Sequence, residues 1–379
     1  NRDSPTNDDL YDSYEYGGNI NFSFPQFLIP FISRFKAKLG QYNPITKVSA
    51  GITFLDRRDF TRNTFNTSIT YNWQTNNNTQ YGFTPADINF IRADLDDDFR
   101  QDLDSLAAQG NTFARSFDPG FVSSTIFTFT KDIKEYGNVN KPSSFLRGYA
   151  ELGGNITSLF SNNSVFGEDV SLYRYLKTSL DYRHHIPLGN KTAVAFRVNS
   201  GLAYPYGDEE NSTLPYEKFF FAGGSNSIKA WQPRRLGPGS YKVTDDNGNI
   251  SYQIEQPGEV IIESGVELRT RLFGFLSWGW FIDAGNVWTW NRDESRPGSN
   301  FDLRRFASEI AVGTGMGLRL DFSFLLVRVD LGVKVFDPAQ DRGERFVLDD
   351  FTFSGLDSDA RNVKVINTPQ LNIGIGYPF

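Results

Sequence analysis

The clearest feature of the sequence is an alternation of apolar and polar residues that recurs along almost the whole chain. Side chains of a β-strand point to opposite faces in turn, so this period of two predicts strands. The alternation is clear in residues 14–24, 47–55, 64–73, 192–204, 259–272 and 325–335, and weaker in residues 79–93, 121–131, 144–156, 170–185, 275–290, 308–321 and 369–379. The sequence therefore predicts an all-β chain of about thirteen strands.

The two faces of these strands differ in chemistry. The polar face often carries charge, as at Glu263 and Glu267, and the other face is continuously apolar. A soluble sandwich would bury the apolar face against a second sheet, whereas a membrane barrel turns it towards lipid. A strand of about ten residues, tilted by about 45°, spans the core of a bilayer.

The connections between the predicted strands favour the membrane barrel. Short connections such as "QTNNNT" and "HIPLGN" occur beside long ones at residues 94–120, 205–257 and 337–368. Short turns on one side and long loops on the other are typical of outer-membrane proteins. We therefore predict a transmembrane antiparallel β-barrel, with a short acidic helix in the loop at residues 94–110.

Composition agrees with this fold without deciding it. The chain has 379 residues, of which 15% are aromatic and 34 are glycine, and its mean hydropathy is −0.42. No apolar run reaches the roughly 18 residues that a transmembrane helix needs. Many aromatic residues and glycines suit strands, tight turns and the aromatic girdles of a barrel, but they also suit a soluble β protein.

Charge and reactive residues exclude several classes of function. The absence of cysteine excludes disulfides and thiolate chemistry, and the two histidines, His184 and His185, are adjacent and lack the spacing of metal ligands. We expect no metal and no cofactor. A net charge of −7 makes nucleic acid an unsuitable partner. No serine, histidine and aspartate can be assembled into a catalytic set, so we expect no enzyme.

One long loop contains an unusual stretch, "GGSNSIKAWQPRRLGPGSY", from Gly223 to Tyr241. We expect Gly223, Gly224, Gly237 and Gly239 to allow tight backbone turns. Three further stretches stand out downstream: "FIDAGNVW" at Phe281–Trp288, "GTGMGLRLDFSF" at 313–324, and the final "IGIGYPF".

The loop stretch resembles the sixth extracellular loop of the BamA/TamA-like outer-membrane barrel-assembly family, and of its TamL-like lipoprotein branch in particular. That family carries the tetrad (Val/Ile)-Arg-Gly-(Phe/Tyr/Trp) at the loop tip. Here the tetrad consists of Ile228, Lys229, Ala230 and Trp231, so lysine replaces arginine and alanine replaces glycine. The three downstream stretches resemble the family's following strands in the same order.

The resemblance implies a sixteen-stranded barrel, of which the first three strands and the periplasmic POTRA domains are not part of this chain. It also implies that the loop at residues 205–257 folds into the lumen. Its cation, Lys229, would there contact acidic residues on the polar face of the later strands, and Glu267 and Asp283, with Gly285, have that phase. The alternative is a solvated Lys229, and we expect Arg234 and Arg235 to be solvated in the lumen.

The last strand carries Gly374, Gly376 and the terminal Phe379. The two inward glycines either weaken strand pairing and favour an opening there, or make room in a crowded lumen. The resemblance implies an outer-membrane factor that inserts or exports β-barrel and other clients through a lateral seam. Its partners would be the lipid bilayer, client outer-membrane proteins and a periplasm-spanning or accessory assembly subunit.

Two other functions stay open at this point. A two-partner secretion transporter would export one polypeptide through the lumen, and a passive porin-like channel would use the long loop only to constrict the pore. A barrel lipase or protease would need a nucleophile and a base, which the sequence does not provide.

Overall fold

The computed structural model describes residues 13–28, 42–57, 60–76, 78–108, 116–133, 141–155, 171–207, 213–244, 255–322, 324–352 and 367–377. Within these residues, thirteen long strands follow one another in chain order in a single sheet. They are β1 (Ser13–Phe24), β2 (Ile45–Arg57), β3 (Phe60–Asn76), β4 (Thr79–Leu95), β5 (Gly120–Ile133), β6 (Ser143–Gly153), β8 (Tyr175–Pro187), β9 (Thr192–Pro205), β12 (Val260–Phe273), β13 (Leu276–Trp288), β14 (Ala311–Asp321), β15 (Leu326–Phe336) and β16 (Gln370–Ile375). The predicted number of strands is confirmed.

The remaining elements are short. Helix α1 (Asp97–Ala108) follows β4 where the sequence predicts an acidic helix. Strand β7 (Ser171–Leu172) pairs in parallel with β5, and β10 (Phe220–Phe221) pairs with β11 (Pro257–Gly258). The second pair joins a segment inside the long loop to the end of that loop. Among the described helices, none is both long and apolar enough to cross a membrane.

Local backbone geometry makes three of the strands shorter than the sequence predicts. The strand predicted at 308–321 begins only at Ala311, because Phe306–Glu309 forms a 3-10 turn. The strand predicted at 144–156 ends at Gly153, since Gly154 takes a φ of 82°. The last strand, predicted at 369–379, ends at Ile375 because Gly376 takes a φ of 81°. Positive φ is incompatible with a continuing strand.

The chain forms two compact units. The first comprises Asn1–Phe129, Tyr149–Lys177 and Tyr204–Lys218. On its strands, large apolar side chains such as Tyr16, Ile52 and Phe65 are exposed. Its buried polar side chains include Arg62 and Glu151. Apolar side chains are thus exposed and polar ones buried, which is the reverse of the pattern in a sheet of a water-soluble protein. This pattern fits strands whose apolar face contacts lipid.

The second unit comprises Thr130–Gly148, Thr178–Ala203 and Phe219–Phe379, and it shows the same inversion. On β13, Trp280 and Ile282 are exposed, whereas Phe281 and Asp283 are buried. The core of this unit is built from the long loop, whose Ala222, Ile228, Ala230, Trp231 and Leu236 pack with Ile261, Val287 and Ala311 of the sheet. The loop therefore lies on the polar face of strands β12 to β14.

Candidate functional site

The tip of the long loop is a compact turn held by its own hydrogen bonds. The N–H of Gly224 donates to the carbonyl of Trp231 at 2.9 Å, and the N–H of Gly223 donates to Ser227 Oγ at 2.9 Å. Gly223 and Gly224 take φ values of 101° and 97°, which residues with a side chain rarely adopt. The two glycines thus allow the chain to reverse before Ile228.

Lys229 is completely buried and makes its main contact with Asp283 of β13. Lys229 Nζ lies 2.8 Å from Oδ2 and 3.0 Å from Oδ1 of that carboxylate. The backbone N–H of Lys229 donates to the same Oδ2 at 3.2 Å. The ammonium also lies 4.0 Å from the ring centre of Phe281, within the range of a cation–π interaction. One aspartate therefore fixes both the charge and the backbone of the tip.

Two glycines of the sheet make room for the tip. A Cβ on Gly332 of β15 would lie 2.5 Å from the carbonyl oxygen of Lys229, and a Cβ on Gly313 of β14 would lie 2.6 Å from the Cβ of Ala230. Alanine at the third position of the tetrad is therefore accommodated by a glycine opposite it. Trp231, 1% exposed, completes the packing, with Lys334 Nζ 5.2 Å from the centre of its ring.

Strand β13, which carries "FIDAGNVW", holds the loop at a second place. Asn286 Nδ2 donates to the carbonyl of Gly239 at 2.9 Å, and Gly239 N–H donates to the carbonyl of Val287 at 2.8 Å. Gly237 and Gly239 take φ values of 98° and 56° there. The loop glycines predicted from sequence thus all lie where the backbone needs positive φ.

Glu267, predicted beside Lys229, bonds two arginines. Its Oε1 accepts from Arg319 Nη2 at 2.9 Å and from Arg269 Nε at 3.1 Å. Arg319 Nη1 in turn donates to Asp330 Oδ1 at 2.5 Å. Arg319 is 1% exposed, and Glu267 and Asp330 are fully buried. These residues form a row of alternating charge across β12, β14 and β15, whose partners could not be assigned from the sequence.

The other predicted residues occupy different surroundings. Gly285 lies against the main chain of β12, where a Cβ would come within 2.5 Å of the carbonyl oxygen of Ile262. Arg234 has a φ of 65° and lies 3.7 Å from Glu255. Arg235 is partly exposed. Gly376 lies beyond the end of β16, and Phe379 falls outside the described residues.

Sequence reasoning missed several residues that hold the loop. Glu263 of β12 accepts from Ser227 Oγ and, at 3.1 Å, from Asn199 Nδ2. Arg328 of β15 donates to the carbonyl of Ser225 at 2.9 Å, and Asn372 Nδ2 of β16 donates to the carbonyl of Lys229 at 2.8 Å. The only sign of these residues in the sequence was that they are polar and occupy the polar face of strands whose other face is apolar.

Comparison with known proteins identifies the fold. The Omp85 superfamily domain matches residues 3–354. The solved structure of BamA from Haemophilus ducreyi lacking POTRA domains 1–3 is similar with a TM-score of 0.56 and 14% identity, over 85% of this chain and 59% of that one. CdiB from Acinetobacter baumannii gives a TM-score of 0.35 at 13% identity, over 86% of this chain and 54% of that one. CdiB from Escherichia coli gives 0.43 at 12% identity, over 78% and 47%.

The chain spans about half to three fifths of the length of these structures. The superfamily match and the similarity to BamA show the fold of an outer-membrane β-barrel. The predicted fold class, a transmembrane antiparallel β-barrel of the bacterial outer membrane, is confirmed.

Proposed function

Since the chain belongs to the Omp85 superfamily, we propose that it inserts or exports outer-membrane proteins, β-barrels above all, through a lateral seam at its last strand. The process transfers a polypeptide and requires no chemical catalysis by this chain. An incoming strand would add to an exposed strand edge through main-chain hydrogen bonds, which hardly depend on sequence. Lipid, client proteins and a periplasm-spanning or accessory assembly subunit are the partners of this proposal.

The observation that carries the proposal is the shortness of the last strand. β16 has 6 residues, whereas β15 beside it has 11. Its register with β15 runs only from Val327↔Ile375 to Gly332↔Gln370. Fewer main-chain hydrogen bonds hold a shorter strand, so β16 costs less free energy to displace than its neighbours.

The loop tip is seated, meaning that it is packed against the sheet with Lys229 bound to Asp283, and this position supports the same function. With Lys229 bound to Asp283, the tip lies on the polar face of the later strands and gives that half of the sheet a buried core. We propose that Lys229 is the anchor of the loop, in agreement with the resemblance described above. The anchor would keep these strands in register while the edge at β16 exchanges partners.

The test is disulfide trapping of a client at the proposed edge. The chain has no cysteine of its own, so a single engineered cysteine reports one position. Ile373→Cys on β16 is compared with Met316→Cys on β14, because the two side chains are similarly exposed, at 69% and 63%. The full-length protein in lipid vesicles receives a urea-denatured outer-membrane barrel that carries a cysteine in its own last strand.

We expect the client to be trapped at position 373 and not at position 316. Equal trapping at both positions, or none at either, would contradict a seam at β16. Export of one secreted polypeptide without barrel insertion would favour the two-partner secretion transporter. High ionic conductance of the intact protein without client folding would favour a porin.

A further inference from the structure

The last strand and the loop tip are joined by a direct hydrogen bond. Asn372 of β16 lies on the polar face between Leu371 and Ile373, which are exposed, and is itself 6% exposed. Its Nδ2 donates to the backbone carbonyl of Lys229 at 2.8 Å. Lys229 is therefore bound by Asp283 through its N–H and its ammonium, and by β16 through its carbonyl oxygen.

A second contact runs through Arg328 of β15. Arg328 Nη2 donates to the carbonyl of Ser225 at 2.9 Å and to Asn226 Oδ1. The guanidinium group lies over Gly374 of β16, where a Cβ would come within 2.5 Å of Arg328 Nε. Gly374 thus provides the space in which Arg328 reaches the loop, which favours the second of the two roles that the sequence left open.

We propose that Asn372 is a positioning residue that couples the last strand to the seated loop tip, so that release of either one favours release of the other. The inference rests on the proposed function for its consequence, which is control of the seam by the loop. Coupling between two sites is reciprocal, because each state stabilises the other by the same free energy. A residue that only stabilised β16 would not change the seating of the tip.

The first measurement follows the tip. Ile228→Cys, at a position 1% exposed in the seated loop, is treated in native membranes with a small charged thiol reagent. Asn372→Leu removes the donor, and we expect the labelling rate to rise about tenfold, the factor to which one buried hydrogen bond of about 1.4 kcal/mol corresponds. Asn372→Asp also removes the donor without changing the size, and we expect the same direction.

The matched control is Gln370→Leu, which makes the same kind of change on the same face of the same strand. Gln370 Nε2 donates to the carbonyl of Leu371, not to the loop, so we expect unchanged labelling. Only protein that shows the mobility of a folded barrel on unheated gels is scored. If both Asn372 variants label at the rate of the parent, the coupling is refuted.

The reverse measurement follows the strand. Leu331 and Leu371 are register partners across β15 and β16, at a spacing that suits a disulfide. The yield of oxidation in Leu331→Cys/Leu371→Cys reports how well β16 is paired. Lys229→Met, which releases the tip from Asp283, should lower this yield several-fold, and an unchanged yield would overturn the proposal.

These outcomes separate the coupling from the proposed function. If a client is trapped at position 373 but labelling of the tip is unchanged in both Asn372 variants, the proposed seam is supported and the coupling is refuted. A raised labelling rate together with a lowered disulfide yield, without any trapping of a client, would support the coupling and contradict the proposed function.

Discussion

Lys229 and Asp283 form an ion pair with side chains that are 1% and 2% exposed, at 2.8 Å between Nζ and Oδ2. The same carboxylate also accepts the backbone N–H of Lys229. Removing one partner of a buried pair leaves an uncompensated charge, which costs about 3–5 kcal/mol. This ion pair is the buried charge contact among the several contacts that hold the loop, so its loss should displace the tip.

The first prediction concerns the sign of that charge. Lys229→Glu should unseat the tip and impair barrel maturation, because it places a second carboxylate against Asp283 where repulsion is poorly screened. Lys229→Arg keeps the charge and should cost much less, with a loss limited to about 1–3 kcal/mol by the bulk of the guanidinium in a filled site. The shift in mobility between heated and unheated samples on gels measures folding.

The matched control for this charge reversal is Lys242→Glu. Lys242 lies in the same loop as Lys229 and pairs with Asp341 of the loop after β15, but the two side chains are 36% and 77% exposed. Exposed pairs contribute about 0–1 kcal/mol, so folding should be unchanged. Equal folding of Lys229→Glu and Lys242→Glu would show that the buried pair does not anchor the loop.

The second prediction concerns the space that glycine leaves for the tip. Gly332→Ala places a methyl group 2.5 Å from the carbonyl oxygen of Lys229. The contact is with main chain, so no rotation of a side chain can relieve it, and we expect a destabilisation of about 1–3 kcal/mol. Raised sensitivity of the loop to added protease would report it. Gly343→Ala, with nothing within 4 Å of the new carbon, should behave as the parent.

The strands were predictable because the lipid face demands an unbroken apolar period. Strand β12, predicted at 259–272, spans Val260–Phe273, and β15, predicted at 325–335, spans Leu326–Phe336. Errors appear where a single backbone angle ends the strand, as at Gly154. Period and composition cannot report such an angle, since glycine adopts φ of either sign and also occurs inside these strands, as at Gly315 and Gly332.

The site was predictable only in part, for a different reason. The phase of a strand shows which face Asp283 or Glu267 occupies, but not which cation comes to lie opposite. Asn372 and Arg328 lie more than a hundred residues from their loop partners along the chain. Only the path of the loop over the sheet decides these pairs, and no local pattern encodes that path.

The third prediction concerns the row of buried charges beside the tip. Arg319 lies between Glu267 and Asp330, and Arg269 and Arg328 also pair with these two carboxylates. Arg319→Met therefore removes the shared cation but leaves each carboxylate one arginine, and it should cost about 1.5–3 kcal/mol for each charged hydrogen bond that is lost. Adding Glu267→Gln and Asp330→Asn leaves the two remaining arginines without these anions, so we expect a further loss and no recovery. The temperature at which the barrel unfolds, followed by circular dichroism, measures each step. A triple variant more stable than Arg319→Met alone would contradict this account.

The last prediction concerns the 3-10 turn Tyr216–Lys218 in the long loop, here called the stem of the loop. This turn belongs to the first unit. Lys218 Nζ lies 2.6 Å from Glu151 Oε1, and the carboxylate also accepts from Tyr149 and Tyr175. The side chain of Glu151 is fully buried, whereas that of Lys218 is 18% exposed.

This difference in exposure predicts an unequal response to mutation. Lys218→Met leaves an anion with no route to water, so it should cost about 3–5 kcal/mol. Glu151→Gln should cost less, because Lys218 can turn partly into solvent. Combining the two variants should recover stability relative to Lys218→Met alone, since no buried charge is then uncompensated. Thermal unfolding of the two single variants and the double variant forms a cycle that measures the coupling. Losses that simply add would mean that the stem is held by packing around Tyr216 and not by this ion pair.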